Sequence, residues 1–154
     1  MDNKIIKGGF RQRNVPLSPD YRPLYKIGLI TLILQYVCRG NKSSLNKLHF
    51  FIWAMKSEKN MAFIRMVFMT EDLSKVVSWG VEPALNKALN YAIAEGIILL
   101  DNNRYTLTSK GQLINKLIRA DKSLLVREKI FLSYIGKQKV TEDFITTLTE
   151  RISN

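Results

Sequence analysis

Residues Glu95–Gly111 read EGIILLDNNRYTLTSKG, and this stretch decides the predicted fold. Two short runs of aliphatic, aromatic and β-branched residues, Ile97–Leu100 and Tyr105–Thr108, flank an Asp-Asn-Asn sequence. Asp and Asn tolerate the positive φ angles that a tight hairpin turn requires. Thr108 or Ser109 can then cap a helix that follows at once. The stretch therefore predicts a β-hairpin that leads directly into a helix.

Helical patterns lie on both sides of this hairpin. Upstream, we expect helices over about 22–38, over SLNKLHFFIWAMKS with Ser43 or Ser44 as its cap, and over 83–95. Residues 61–69 are nearly all apolar, so their periodicity fits a helix or a strand, and Thr70 is predicted to cap a short helix at LSKVVSW. Downstream, the hairpin is followed by a helix with Leu113, Ile114, Leu117 and Ile118, and then by two more helices, the last capped by Thr141.

This order predicts a mainly α protein with a small β-hairpin, namely a winged helix-turn-helix core with additional C-terminal helices. We expect a basic flexible arm over 1–20, a winged-helix domain over 21–120 with an apolar insert at 60–80, and a helical extension over 121–154. Winged helices bind DNA in some proteins and other proteins in others, so the predicted fold leaves the function open.

Composition narrows the class of protein. The longest uncharged run near the N-terminus, Ile27–Cys38, is too short for a membrane span, which needs about 20 residues. The N-terminal sequence has basic residues without the apolar segment of a secretion signal, and Cys38 is the only cysteine. We therefore expect a cytoplasmic protein without a disulfide, and no membrane partner.

The net charge of +11 favours a polyanionic partner, and its distribution is uneven. Residues 1–60 carry 11 basic and 3 acidic residues, whereas residues 61–100 carry 3 basic and 4 acidic residues. A sequence-reading helix at 83–95 would present Lys87 and Asn90 to bases. That helix has one Lys, no Arg and acidic ends, so packing is the favoured role for it.

Non-specific phosphate contact is predicted elsewhere, at the turn into the second helix and at the hairpin. The candidate DNA-binding residues are Arg39, Lys42, Lys47, Lys87, Asn90 and Arg104. Arg39, Lys42 and Lys47 bracket a helix start, where backbone amides favour anions. An ordinary solvated surface with surplus Lys is the alternative interpretation of this charge.

An aromatic and Met-rich stretch from Phe50 to Met69 is larger than one small core is expected to need. The candidate partner interface consists of Phe50, Trp53, Phe63, Met66 and Phe68. Such residues are typical of protein interfaces when they are exposed. The alternative is that the insert folds back over the core, and the sequence leaves both open.

The residues needed for catalysis are sparse. His49 is the only histidine and lies among apolar residues, and no spacing resembles a zinc site or a phosphate-binding loop. We therefore expect no enzymatic activity, no cofactor, no metal and no small-molecule substrate.

Three segments resemble a known family: YRPLYKIGLITLILQYVCRGNKSSLNKLHFFIWAMKS, VEPALNKALNYAIAEGIILLDNNRYTLTSKG and EKIFLSYIGKQKVTEDFI. They are similar to the middle component of bacterial ABC three-component defence systems, the Lamassu type among them. In these systems such a protein accompanies an SMC-like ATPase and an effector, often a nuclease. The resemblance implies a non-catalytic subunit that docks on the ATPase and links DNA sensing to the effector in defence against phages or plasmids. The alternative is a stand-alone winged-helix transcription regulator, motivated by the predicted fold and the positive charge.

Overall fold

The computed structural model describes residues 23–76 and 79–153, and these are mainly helical with one small antiparallel sheet. The elements are α1 (Pro23–Val37), β1 (Lys42–Ser43), α2 (Leu45–Ala54), α3 (Glu58–Thr70), α4 (Pro83–Ala94), β2 (Ile98–Asp101), β3 (Arg104–Leu107), α5 (Ser109–Ala120), α6 (Val126–Ile135) and α7 (Glu142–Ser153). The predicted arm at 1–20 lies outside the described residues.

Helix α1 forms the centre of the molecule, because it is apolar on nearly all sides. It packs against α2, α4, α5 and α6, and Leu29–Leu34 are buried without a break. A helix that is apolar all round can be stable in water only when other elements enclose it. None of the helices in the described part of the chain has both the length and the apolar character needed to cross a bilayer.

The hairpin forms as predicted, with Asn102 and Asn103 as its two turn residues. Their φ angles are 51° and 62°, which matches the positive φ required at both positions of a type I′ turn. The sequence did not reveal a third strand, β1, which pairs antiparallel with β3 so that the sheet order is β1-β3-β2. A two-residue strand carries no periodicity that could identify it.

Side-chain caps fix the starts of four helices. Ser44 accepts a hydrogen bond from the Lys47 amide, Ser57 from Asn60, Thr108 from Gly111 and Thr141 from Phe144. Each cap satisfies a backbone N–H that has no partner inside its helix. The caps predicted for α2, α5 and α7 are confirmed.

The apolar stretch at 61–69 belongs to α3, which settles the choice between helix and strand in favour of the helix. Thr70 does not cap a further helix: it is the last residue of α3, and its hydroxyl donates to the Met66 carbonyl. The predicted helix at LSKVVSW is wrong over the described residues, where only a single 3₁₀ turn, Leu73–Lys75, is present. Glu71 has a φ of 55° and ends α3.

Helices α6 and α7 add to the same hydrophobic core as α1 rather than forming a second one. Phe131, Leu132, Ile145 and Leu148 are all buried in this core. The aromatic ring of Phe144 also contacts Phe50 and Phe68, so α7 packs on α2 and α3. This packing places the start of α7 beside the turn that follows α1.

Candidate nucleic-acid interface

A cleft of about 390 Å³ is formed by the turn after α1, the first residue of β3 and the start of α7. We call it the basic cleft, and its lining residues are Arg39, Lys42, Lys47, Arg104, Lys137, Thr141, Glu142 and Asp143. Four of the predicted DNA-binding residues are thus brought together in one place. Five cations and two carboxylates line the cleft, so its balance is positive.

The backbone around Gly40 sets the positions of Arg39 and Lys42. Gly40 and Asn41 have φ angles of 65° and 55°, and the chain reverses through one 3₁₀ turn before it enters β1. A positive φ is readily adopted by glycine and tolerated by asparagine. Lys42 then lies opposite Thr106 in the sheet, which holds the turn after α1 against β3 and near Arg104.

Three cations of the basic cleft are available to a ligand. Within the described chain, Arg39, Lys42 and Lys137 form no ion pair or hydrogen bond through their side chains. Arg104 makes only a long hydrogen bond of 3.4 Å to the neighbouring Asn103 carbonyl. A charged group without an internal partner keeps its full capacity for an external anion.

Lys47 has a different role from the one predicted. Its side chain is only 3% exposed, and its ammonium donates to the Val37 carbonyl at 3.0 Å. The carbonyls at the end of a helix lack partners within that helix and carry partial negative charge. Lys47 therefore stabilises the end of α1 and contributes positive potential to the cleft rather than a freely mobile contact.

The two carboxylates do not cancel this positive charge. Glu142 accepts a hydrogen bond from the Ser44 amide at 3.0 Å, so its carboxylate is held at the start of α2. This bond joins the start of α7 to the start of α2 and fixes one wall of the basic cleft. Asp143, which is exposed, is the second acidic residue of the lining.

The buried thiol of Cys38 lies behind the cleft. Burial raises the pKa of Cys38 to about 11, although the nearby charge of Lys47 and a hydrogen bond with Ser43 act in the opposite direction. A thiol with this pKa is protonated at neutral pH and is a poor nucleophile. Cys38 therefore has a packing role.

Lys87 and Asn90 lie away from the cleft lining, on the exposed face of α4. Leu85, Ala88 and Leu89 form the opposite, buried face of that helix. The structure thus separates the six predicted DNA-binding residues into a group of four in the basic cleft and a pair on α4. The sequence does not identify Lys137 as a cleft residue, because only the packing of α7 brings it close to the others.

The predicted partner interface is largely internal. Phe50 is 1% exposed, and its ring contacts Phe51, Trp53, Trp79 and Phe144 at centroid distances of 5.2–6.4 Å. Phe50 therefore cannot touch a partner in this conformation. Trp53, Phe63 and Phe68 are half-buried against the core, and Met66 is the predicted interface residue that is exposed.

His49 has the packing role that its apolar surroundings indicate. Its Nδ1 accepts a hydrogen bond from the Glu82 amide at 3.2 Å, which ties α2 to the start of α4. Burial lowers the pKa of His49, while the nearby charge of Glu82 raises it to a lesser extent. An accepting Nδ1 requires the neutral ring. In the described ranges, no group of three or more His, Cys, Asp or Glu residues is arranged to hold a metal ion.

No known protein family, curated protein or solved structure matches this chain. The chemistry of the described surface is therefore the basis for a functional proposal. The basic cleft suits an anion that several separate cations can contact at once, and a run of phosphates has that form.

Proposed function

We propose that this protein is a non-catalytic accessory subunit that contacts the phosphate backbone of nucleic acid through the basic cleft, without sequence selectivity. The convergence of Arg39, Lys42, Arg104 and Lys137 on one cleft is the observation that carries this proposal. Separate cations neutralise successive phosphates and release counterions, which provides affinity independent of base sequence.

We further propose that the protein acts in the cytoplasm, on an SMC-like ATPase complex with an effector nuclease, in defence against phages or plasmids. This part rests on the resemblance of the three sequence segments described above. The absence of a metal-binding cluster and the unreactive state of Cys38 in the described chain are compatible with a subunit that leaves catalysis to its partners.

We also propose that residues 21–120 form a winged-helix core, which would suit nucleic-acid contact. The order helix, strand, helices, strand, strand and the sheet order β1-β3-β2 together place a hairpin beside a helical bundle. In this arrangement the hairpin is the wing, and Arg104 lies at its turn. The basic cleft is then beside the turn end of the wing, on the side of β1.

The affinity for nucleic acid can be measured by fluorescence anisotropy, with the full chain and a labelled duplex of random sequence over a range of salt concentrations. We expect the logarithm of the binding constant to fall linearly with the logarithm of salt, by about 0.9 for each phosphate neutralised. In the double variant Lys42→Gln/Arg104→Gln, we expect a weaker complex and a slope reduced by about 2.

The matched control is Lys59→Gln/Lys75→Gln, which removes the same charge from exposed positions outside the cleft. This control should retain most of the affinity and nearly the whole slope. A flat salt response of the wild-type protein, or an equal loss in both double variants, would overturn phosphate contact in the basic cleft.

The proposed complex can be tested separately by purifying the tagged full-length chain from its native host, with and without nuclease treatment. Mass spectrometry should identify a large ATPase and an effector that remain bound after nuclease. Recovery of the chain alone, or of partners that disappear with nuclease, would contradict the accessory role.

A second candidate function is a sequence-selective transcription regulator, which the exposed polar face of α4 favours. Asn86, Lys87 and Asn90 are exposed there, and Asn and Lys can hydrogen-bond to bases in the major groove. This candidate predicts that one duplex sequence is preferred over random duplexes, and that Lys87→Ala or Asn90→Ala removes the preference. Equal affinity for all duplexes would exclude it.

A further inference from the structure

Helix α5 has an outer face that combines exposed leucines with exposed lysines. Its inner face holds Gly111 and Asn115, which are buried, and Ile114 and Ile118, which are half-buried against the core. The outer face is different, since Leu113 is 58% exposed and Leu117 is 63% exposed. These leucines are four residues apart, so they lie one above the other on the helix surface.

Basic residues surround the two leucines. Lys110 and Lys116 lie three residues before and after Leu113 and are therefore its neighbours on the helix surface. Lys110 donates to the Glu95 carbonyl at 2.7 Å, whereas Lys116 has no side-chain partner among the described residues. We define Leu113, Leu117, Lys110 and Lys116 as the α5 outer strip.

Acidic residues do not offset the charge of the α5 outer strip. Helix α5 contains no Asp or Glu. The nearest acidic residue in sequence, Asp121, accepts hydrogen bonds from the amide and hydroxyl of Ser123 at 2.9 and 2.7 Å and is thus engaged in its own turn. Within helix α5, the leucine ridge is therefore flanked by lysines and by no carboxylate.

We infer that the α5 outer strip binds an acidic amphipathic helix of a partner protein. The leucine ridge would pack between apolar residues of that helix, and Glu or Asp residues at the edges of its apolar face would meet Lys110 and Lys116. Charge complementarity of this kind selects the partner and speeds its approach. The inference rests on the proposed role as a subunit of a larger complex and names the chemistry of its partner.

Two other occupants fit the strip less well. A second copy of this chain in a symmetric dimer would place the same patch against itself, so that Lys110 and Lys116 would meet their own like charges. A membrane surface normally takes up a broad apolar face, whereas two leucines span about 6 Å along the helix. The groove between the side chains of a single partner helix matches the length of this two-leucine ridge.

The test uses two designed helical peptides of about 18 residues, a length chosen to allow stable helix formation. Both carry Leu at the same helical spacing; the first has Glu at all flanking positions, and the second has Lys at those positions. Binding to the full chain is measured by titration calorimetry, and the contact is mapped by amide chemical shifts. We expect the acidic peptide to bind and to shift the amides of 109–122, and the basic peptide to bind at least about tenfold more weakly.

The matched variants are Leu117→Asp on α5 and Met69→Asp on α3, where Met69 is 78% exposed. Leu117→Asp should lower the affinity for the acidic peptide by at least about tenfold, because it removes an apolar contact and adds repulsion. The Met69→Asp variant should bind the acidic peptide with the same affinity as the wild-type protein. No nucleic acid is present in the peptide titration. If the acidic peptide does not bind, the result of the phosphate-binding experiment is therefore unaffected.

Four results would overturn the inference. The acidic peptide could shift the amide resonances of the basic cleft instead of those of α5. It could also bind the Leu117→Asp variant and the wild-type protein with equal affinity. Sedimentation could show a dimer that Leu117→Asp converts to a monomer, which would assign the strip to a second copy. Phosphatidylserine vesicles could bind the chain through Leu117 when the peptide does not, which would assign the strip to a membrane.

Discussion

The aromatic cluster around Phe50 and the outer face of α5 use apolar residues in opposite ways. The sequence leaves the first open as a partner surface or as core, and its central ring, Phe50, is enclosed by contacts that include Phe144 of α7 and Trp79. The second follows an ordinary amphipathic pattern, yet Leu113 and Leu117 remain exposed. The difference shows that apolar content alone does not decide exposure, because a surface becomes core only when other elements converge on it.

The largest expected effect is on the enclosed region. Phe50→Ala removes a ring that four other aromatic side chains contact, and we expect a loss of about 3–5 kcal/mol in the free energy of unfolding. Urea denaturation at neutral pH measures this loss. A change below about 1 kcal/mol would show that the cluster is not a packed core.

Gly111 tests how tightly the inner face of α5 is held. A Cβ at this position would lie 2.2 Å from the Ile97 carbonyl oxygen and 2.5 Å from Leu107 Cδ1. The backbone would have to shift, so Gly111→Ala should lower the free energy of unfolding by about 1–3 kcal/mol. The control is Gly80→Ala, where a Cβ meets nothing within 4 Å and a negligible loss is expected. Equal stability of the two variants in urea would contradict the close approach of α5 to the hairpin.

The pH dependence of stability provides a finer probe of α2. Because burial lowers the pKa of His49 below 6.5, the unfolded chain takes up a proton before the folded chain does. The contribution of neutral His49 is thus complete above pH 6.5 and is lost as the pH falls through 6.5 towards the lowered value. Protonation also removes the acceptor for the Glu82 amide, so the contact between α2 and the start of α4 should weaken.

His49→Asn is the control for this prediction, because an amide oxygen can accept the same hydrogen bond without titrating. Urea midpoints of wild type and variant are compared at about pH 7.5 and about pH 5.5. The wild-type protein should lose more stability than the variant on acidification, and amide exchange should increase near Glu82 but not on α5. A parallel loss in the two proteins would remove His49 as the cause.

The smallest effect on the free energy of unfolding is expected at the exposed leucines of α5. Leu117→Ala should change the free energy of unfolding by no more than about 0.5 kcal/mol, because the side chain loses few internal contacts. The same substitution should still weaken binding of the acidic peptide. A large loss of stability would mean that Leu117 is packed against the core and is not accessible to a partner. Leu117 would then resemble Phe50 instead of differing from it.

Much of the fold could be predicted from local sequence. Ser44, Thr108 and Thr141 have the short polar side chains that cap helices. Asn102 and Asn103 adopt positive φ at modest cost. The residue types at these positions are therefore enough to predict the caps and the turn. The stretch at 61–69 could not be assigned, because a run of apolar residues has no period. Thr70 has the side chain of a helix cap, but it is the last residue of α3, and its hydroxyl donates to the Met66 carbonyl.

The candidate site was predictable in part. Arg39, Lys42 and Lys47 are close in sequence, so their proximity is a local property. Arg104 joins them through the pairing of β1 with β3, and Lys137 joins them through the packing of α7. The same packing buries Phe50, and the end of α1 engages the ammonium of Lys47. Contacts between distant segments depend on tertiary packing, which local patterns do not encode.

The sequence by itself determined the mainly helical class, the caps, the hairpin turn and the surplus of positive charge. These follow from backbone preferences and charge counts, which act over a few residues. Only the tertiary structure decided that the cations meet in one cleft, that Phe50 is enclosed, and that the leucines of α5 face outward. The physical reason is that burial and electrostatic potential are properties of all the elements surrounding a residue, and these elements come from distant parts of the chain.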